Sequence, residues 1–169
     1  LPDYVVMAET VAQIQQIMRF ANQEKIPVIP YTAGTNIGGL CIPERGGILL
    51  DLKRMNKIIK IDAESHYAVI EPGVSHGQLA EALYEHKLRF GWPVGPPSAS
   101  VSSCAINHGI GGLNARYGLN SQEVTSMGTD NRDAEQFVAA RPGEHLDPAV
   151  ILGIGDCPVE VVDAVAGDF

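Results

Sequence analysis

Apolar residues recur along this chain in short, regular bursts, and each burst predicts one element. Tyr4-Val5-Val6-Met7 reads as a strand. Thr10 then opens a helix, because Gln13 stands three residues on as the second half of a capping box and Val11, Ile14, Ile17, Met18 and Ala21 form one apolar stripe. Pro27 cannot continue that helix, which should end near Lys25, and Val28-Ile29 gives a second strand. Gly47 to Leu52 is a third strand. Lys57 to Asp62 and Tyr67 to Glu71 form a pair joined through the polar turn Ala63-Glu64-Ser65, and Pro72-Gly73 breaks the last of them. Ser75 with Gln78 repeats the capping box, and Leu79, Ala82 and Leu83 line a helix running to about Lys87. Gly91 to Ser100 holds too much Pro and Gly for a regular element and reads as a shaped loop; Ser102 to Asn107 is helical and closed by Gly109. The order is mixed α and β.

Two stretches stand out against this frame. Pro30 to Leu40 follows the second strand, is uncharged, and carries Gly34, Gly38 and Gly39 beside Thr35 and Asn36. Such a loop leaves backbone N–H groups uncovered, free to point at a ligand rich in acceptor oxygens, and a phosphate or pyrophosphate fits that description. An ordinary surface turn has the same composition. The second stretch, Val101 to Gly112, is built of small residues that would let a large planar ligand lie close to the backbone; close helix packing would use them equally well.

Composition narrows the partners. A length of 169 residues suits one domain with a real core, or a piece of a larger protein. With 45% hydrophobic and 19% charged residues and no apolar run of membrane-spanning length, a soluble globular chain without a membrane span is expected. A net charge of −8 offers no basic face to a phosphate backbone, which argues against nucleic acid and for a single bound cofactor. Cys41, Cys104 and Cys157 are odd in number and far apart, which predicts small, buried free thiols and a reducing, cytoplasmic compartment. The first residues show no secretory signal, and the lack of an initial Met points to missing upstream residues. His66, His76, His86, His108 and His145 have no ligand spacing and read as surface or locally satisfied histidines, so no metal is expected. Only His108 lies beside the small-residue segment. No P-loop lysine, dinucleotide Gly-x-Gly-x-x-Gly or nucleophile–base pair is present.

Taken in order, these pieces resemble the FAD-binding domain of the vanillyl-alcohol-oxidase type of flavoprotein, the group that also contains glycolate oxidase and D-lactate dehydrogenase flavin subunits. The resemblance is carried by Pro2 to Thr10 with its capped helix, Pro27-Val28-Ile29-Pro30 into Ala33-Gly34-Thr35-Asn36, and Gly47 to Leu52. It continues through Arg54 to Ile58, Val69 to Val74 and the Pro97-Ser98 loop, and covers residues 1 to about 128. Within the family, Pro97 to Val101, His108 to Gly111 and Arg116-Tyr117-Gly118 are most similar to the 4-cresol dehydrogenase and vanillyl-alcohol oxidase branch. The resemblance implies an α+β fold, an FAD-binding type-2 (PCMH-type) domain of small mixed sheets flanked by helices, incomplete at its C-terminus. It implies FAD as cofactor, with the pyrophosphate wrapped by Tyr31, Ala33, Gly34, Thr35, Asn36, Ile37, Gly38 and Gly39. Pro97, Ser98, Ser102, Ser103, Ile106, Gly109 and Gly111 would lie along the pyrophosphate, ribityl chain and flavin ring edge; Arg116 and Tyr117 read as structural residues, the alternative being polar groups near the ring. Catalytic residues are expected from a cap domain.

Two departures matter. Tyr31 to Leu40 holds no histidine, which excludes covalent attachment from this loop; attachment by a later, substrate-facing tyrosine or histidine would come from further protein. From Thr129 the sequence leaves the family pattern, so residues 129–169 are expected to be a linker with two short helices, Ala149 to Ile154 and Val159 to Ala166. The function expected of the full-length form is hydride transfer from an alcohol, a 2-hydroxy acid or a para-alkyl phenol, its small-molecule substrate, to flavin. The rivals are a non-catalytic or incomplete flavin module needing a partner subunit or a homodimer, and a structural fragment that has lost its ligand. The UDP-N-acetylglucosamine enolpyruvate reductase shares the implied fold, but Pro97 to Gly118 fits the oxidase branch better.

Overall fold

The computed structural model describes residues 1–90, 95–107, 109–112, 115, 124–127, 160–163 and 165–166. The chain opens with β1 (Tyr4–Met7), α1 (Val11–Glu24), β2 (Val28–Tyr31) and β3 (Ile48–Asp51). The three strands form a parallel sheet in the order β1-β3-β2, with Tyr4 and Val28 both opposite Ile48, and Met7 and Tyr31 both opposite Asp51. Helix α1 starts where the capping box predicts. Thr10 Oγ1 accepts from the Gln13 amide at 3.3 Å, and Gln13 Oε1 accepts from the amides of Glu9 at 2.8 Å and Thr10 at 3.3 Å. It ends at Lys25, whose left-handed backbone (φ 58°) closes the last turn through a bond to the Ala21 carbonyl. The predicted stripe faces the sheet: Ile14 is buried with Ala8, Leu50, Leu52 and Met55, and Val11, Ile17, Met18 and Val28 pack against that cluster.

A second layer follows. Strands β4 (Ile58–Asp62) and β5 (Tyr67–Ile70) pair antiparallel with a register shift between Ile58 and Lys60, and α2 (His76–Glu85) begins at the Ser75–Gln78 capping box. Then come β6 (Leu88–Arg89), α3 (Val101–Ile106), β7 (Val124–Met127), β8 (Glu160–Asp163) and β9 (Val165–Ala166). The larger antiparallel sheet runs β4-β5-β8-β7, and β6 pairs with β9. Leu79 and Leu83 of α2 bury with Ala68, Ile70, Val74, Leu88, Phe90 and Val101 in a second core. The result is the expected α+β arrangement of small sheets and helices.

Three expectations are corrected. Val159 to Ala166 is not a helix: residues 160–163 and 165–166 are strands, because a valine-rich segment of β-branched side chains gains more from pairing beside β5 than from helix formation, where χ1 is restricted. Helix α2 stops at Glu85 because the chain turns at Lys87 (φ 56°) into β6, which no periodicity announced. Cys41 and Cys104 are free thiols but half-exposed rather than buried. Ala149 to Ile154 and Cys157 lie outside the described residues. Among the described residues no helix is long and apolar enough to cross a membrane.

A relay of hydrogen bonds ties the two layers together. The Leu52 amide donates to the Tyr31 carbonyl (2.8 Å), the Met55 amide to the Leu52 carbonyl (3.0 Å) and the Gly73 amide to the Met55 carbonyl (2.7 Å). The neighbouring Pro72 carbonyl accepts from the hydroxyls of Ser100 (2.9 Å) and Ser102 (3.1 Å). Gly73 is required at this crossing: a Cβ there would stand 2.6 Å from the Leu52 carbonyl oxygen and 2.7 Å from that of Met55, well inside van der Waals contact.

Candidate functional site

Because β1, β2 and β3 are parallel, all three release their chains at the same edge, the position at which open parallel sheets bind ligands. The loop after β2 lies there. Ala33 is half-buried and Gly34, Thr35, Asn36, Ile37 and Gly38 are exposed. Among the described residues nothing accepts a hydrogen bond from the amides of Ala33 through Gly38. The loop is nevertheless shaped. Asn36 Oδ1 accepts from the Leu40 amide at 3.3 Å, the Gly39 carbonyl accepts from the Ile42 amide at 3.0 Å, and Gly34 is left-handed (φ 66°) with the Tyr31 phenol packed against it. A row of amides around glycines with no protein acceptor among the described residues fits an anionic oxygen cluster such as a pyrophosphate.

The second predicted segment divides. Pro97 and Ser98 are exposed in a turn closed by the Ala99 amide on the Pro96 carbonyl (2.9 Å), and the Gly77 amide of α2 holds the Pro97 carbonyl at 2.8 Å. Ser100, which sequence reading passed over, organises the rest: its hydroxyl caps α3 by accepting from the Ser103 amide (3.2 Å) while donating to Pro72. Ser102 is buried behind it and spends its hydroxyl hydrogen on the same carbonyl. Ser103, Gly109 and Gly111 are half-buried and Ile106 is exposed; the Gly109 amide closes α3 on the Cys104 carbonyl at 2.7 Å, as its glycine predicted. His108, Arg116 and Tyr117 lie outside the described residues, as does the 91–94 part of the shaped loop.

Charge enters through the turn after β3. Asp51, nearly buried at the end of that strand, accepts from the Lys53 amide at 2.9 Å and pairs with the Lys53 ammonium at 3.1 Å. The same ammonium stands 5.1 Å from the centroid of the Tyr31 ring. Arg54 pairs with Glu9 at 2.5 Å, and Lys53, Arg54, Asn56 and Lys57 with Glu9 and Thr10 line a cleft of about 550 Å³ on this edge. Among the described residues no cluster of His, Cys, Asp and Glu could hold a metal. His76 was read with the other histidines, yet it is fully buried at the start of α2, stacked on Phe90 with ring centroids 5.4 Å apart. Burial pushes its pKa down to about 4, so it is neutral at pH 7. Its signal in the sequence was its position one residue after the Ser75 cap, on the helix side that also carries Leu79 and Leu83.

A parallel sheet with an open glycine loop at its carboxyl edge, hydrogen-bonded through one glycine crossing to an antiparallel layer and a short small-residue helix, defines a cofactor-binding domain of the α+β class. The family model described as FAD binding domain matches residues 2–143, and the chain belongs to that family. It is 44% identical over 114 residues to the 4-cresol dehydrogenase (hydroxylating) flavoprotein subunit of Pseudomonas putida, covering 65% of this chain and 22% of that protein. To the glycolate oxidase subunit GlcD of Bacillus subtilis it is 32% identical over 130 residues, covering 75% and 27%. Its fold superposes on p-cresol methylhydroxylase with substrate bound at a TM-score of 0.76 and 28% identity, over 96% of this chain and 35% of the other. The chain thus spans about a quarter of the length of these curated relatives. It is an FAD-binding domain, with FAD as its cofactor.

Proposed function

We propose that the amides of Ala33 to Gly38 hold the FAD pyrophosphate, with Tyr31 and Gly39 shaping the two ends of that loop. Pro97, Ser98, Ser103, Ile106, Gly109 and Gly111 form the facing wall, and Ser102 braces it from behind. The observation that carries this reading is the row of exposed residues at the carboxyl edge of the parallel sheet whose amides have no acceptor among the described residues. Bound flavin supplies the hydride acceptor, and in the longer protein the donor is a hydroxylated carbon or the alkyl carbon of a para-alkyl phenol. The chain's own residues bind and orient the cofactor. Completion by a partner subunit is favoured by Ile37, Leu40 and Ile42, three apolar side chains left exposed on the loop segment, and by the subunit status of the 4-cresol dehydrogenase and glycolate oxidase relatives. A cytoplasmic location accords with the free thiols of Cys41 and Cys104.

The test is retention of flavin absorbance after incubation with FAD and desalting, with ADP as competitor. Bound flavin displaced by ADP supports the loop assignment. Flavin retained equally by Gly34→Val and Gly38→Val variants overturns it.

A further inference from the structure

The glycine loop contains no charged residue between Tyr31 and Leu40, and the whole chain carries a net charge of −8. Backbone amides alone would have to offset the two negative charges of a pyrophosphate against that background. The structure supplies a cation from another element. Lys53 is gripped at both ends by one carboxylate, its amide by Asp51 Oδ1 (2.9 Å) and its ammonium by Asp51 Oδ2 (3.1 Å). The carboxylate is nearly buried, its side chain only 7% exposed, whereas the Lys53 side chain is 51% exposed, so the positive end of the pair faces outward. That ammonium lies over the Tyr31 ring, and the hydroxyl end of the same ring abuts Gly34. One aromatic ring therefore separates the cation from the root of the glycine loop.

We propose that Lys53 is a positioning residue for the cofactor's pyrophosphate: held by Asp51 and seated on Tyr31, it provides the positive potential that the uncharged loop lacks. This rests on the loop assignment above. It differs from a purely structural role for Lys53, in which the ammonium would only steady Tyr31 and its removal would weaken binding equally at all ionic strengths. A unit charge acting across a ring's width near a protein surface changes affinity by roughly fivefold at low salt, and the effect fades at about 1 M salt, where the screening length is about 3 Å.

The experiment is a titration of the chain with FAD, by quenching of flavin fluorescence, at low and at high salt for wild type, Lys53→Met and Lys53→Arg, with the melting temperature of each variant measured without cofactor. Lys53→Met is expected to bind FAD about fivefold more weakly at low salt and to converge on wild type at high salt, while Lys53→Arg keeps wild-type affinity and salt dependence. Equal affinities at low salt, or a Lys53→Met loss that persists undiminished at high salt, overturn the proposal while leaving the loop assignment standing. A wild-type chain that fails to bind FAD overturns both.

Discussion

The phenol of Tyr31 fills the space that a Cβ on Gly34 would need, so a side chain and a missing side chain share one volume at the root of the loop. Gly34 is also left-handed, at φ 66°, where an L side chain costs about 1–2 kcal/mol. Gly34→Ala should therefore weaken FAD binding by roughly tenfold or more, as read by flavin fluorescence. Gly38→Ala makes a contrast: its nearest neighbour would be Asn36 Oδ1 at 3.2 Å, a side-chain atom that can shift. It is expected to leave the melting temperature unchanged and to lower FAD affinity alone.

Gly73→Ala should damage the fold itself. The added carbon meets two backbone carbonyls, those of Leu52 and Met55, and neither can move without breaking the relay from Tyr31 to Pro72. A loss of about 2–3 kcal/mol is expected, measured as a drop in the urea midpoint. An unchanged midpoint would mean the crossing is looser than its geometry.

The two serines on the Pro72 carbonyl should couple. Ser100→Ala removes a helix cap and one donor, at about 1–2 kcal/mol, and Ser102→Ala removes one donor, at about 1 kcal/mol. Either single variant leaves the carbonyl one partner. The double variant leaves none among the described residues, so its loss should exceed the sum in a double-mutant cycle. FAD affinity of Ser102→Ala is expected to follow wild type.

Acid should destabilise the domain in two windows. His76 binds its proton with a pKa of about 4 when folded, against 6.5 when exposed, so the unfolded chain takes up more protons between those values. Stability is full above pH 6.5 and falls as pH drops from 6.5 to 4. Asp62 is lowered as well, from 3.8 to about 2, chiefly by its hydrogen bond from Lys60, so its contribution is lost only between 3.8 and 2. His76→Leu should flatten the urea midpoint between pH 6.5 and 4 and leave the lower window intact. A wild-type slope retained in that variant would assign the upper window to other groups.

Local chemistry was legible wherever one residue's neighbours in sequence are also its neighbours in space. Both capping boxes, the α1 stripe and the β4–β5 hairpin needed nothing beyond a few adjacent side chains. The exposed glycine loop was legible for the same reason: its openness follows from the side chains it lacks. What stayed hidden depends on long-range meetings. Nothing near Val161 announces that it will lie opposite Val69, and nothing near Pro72 announces two serines arriving from beyond residue 99. Pro72-Gly73 read as a strand breaker, which is correct, but its tight passage beneath Leu52 and Met55 is a tertiary fact. Nothing near Lys53 in the sequence announces Tyr31, because only the pairing of β2 with β3 brings the two together.

Strand β3 comes third in the chain and sits second in its sheet. During synthesis, β1, α1 and β2 emerge first, and β1 and β2 are then strands with a gap between them and no common hydrogen-bonding partner. Only when Ile48 to Asp51 have left the ribosome can the middle be filled, and both pairings then form against the same four residues. The glycine loop lies between β2 and that delayed strand, so its two ends are fixed only in the event that completes the sheet.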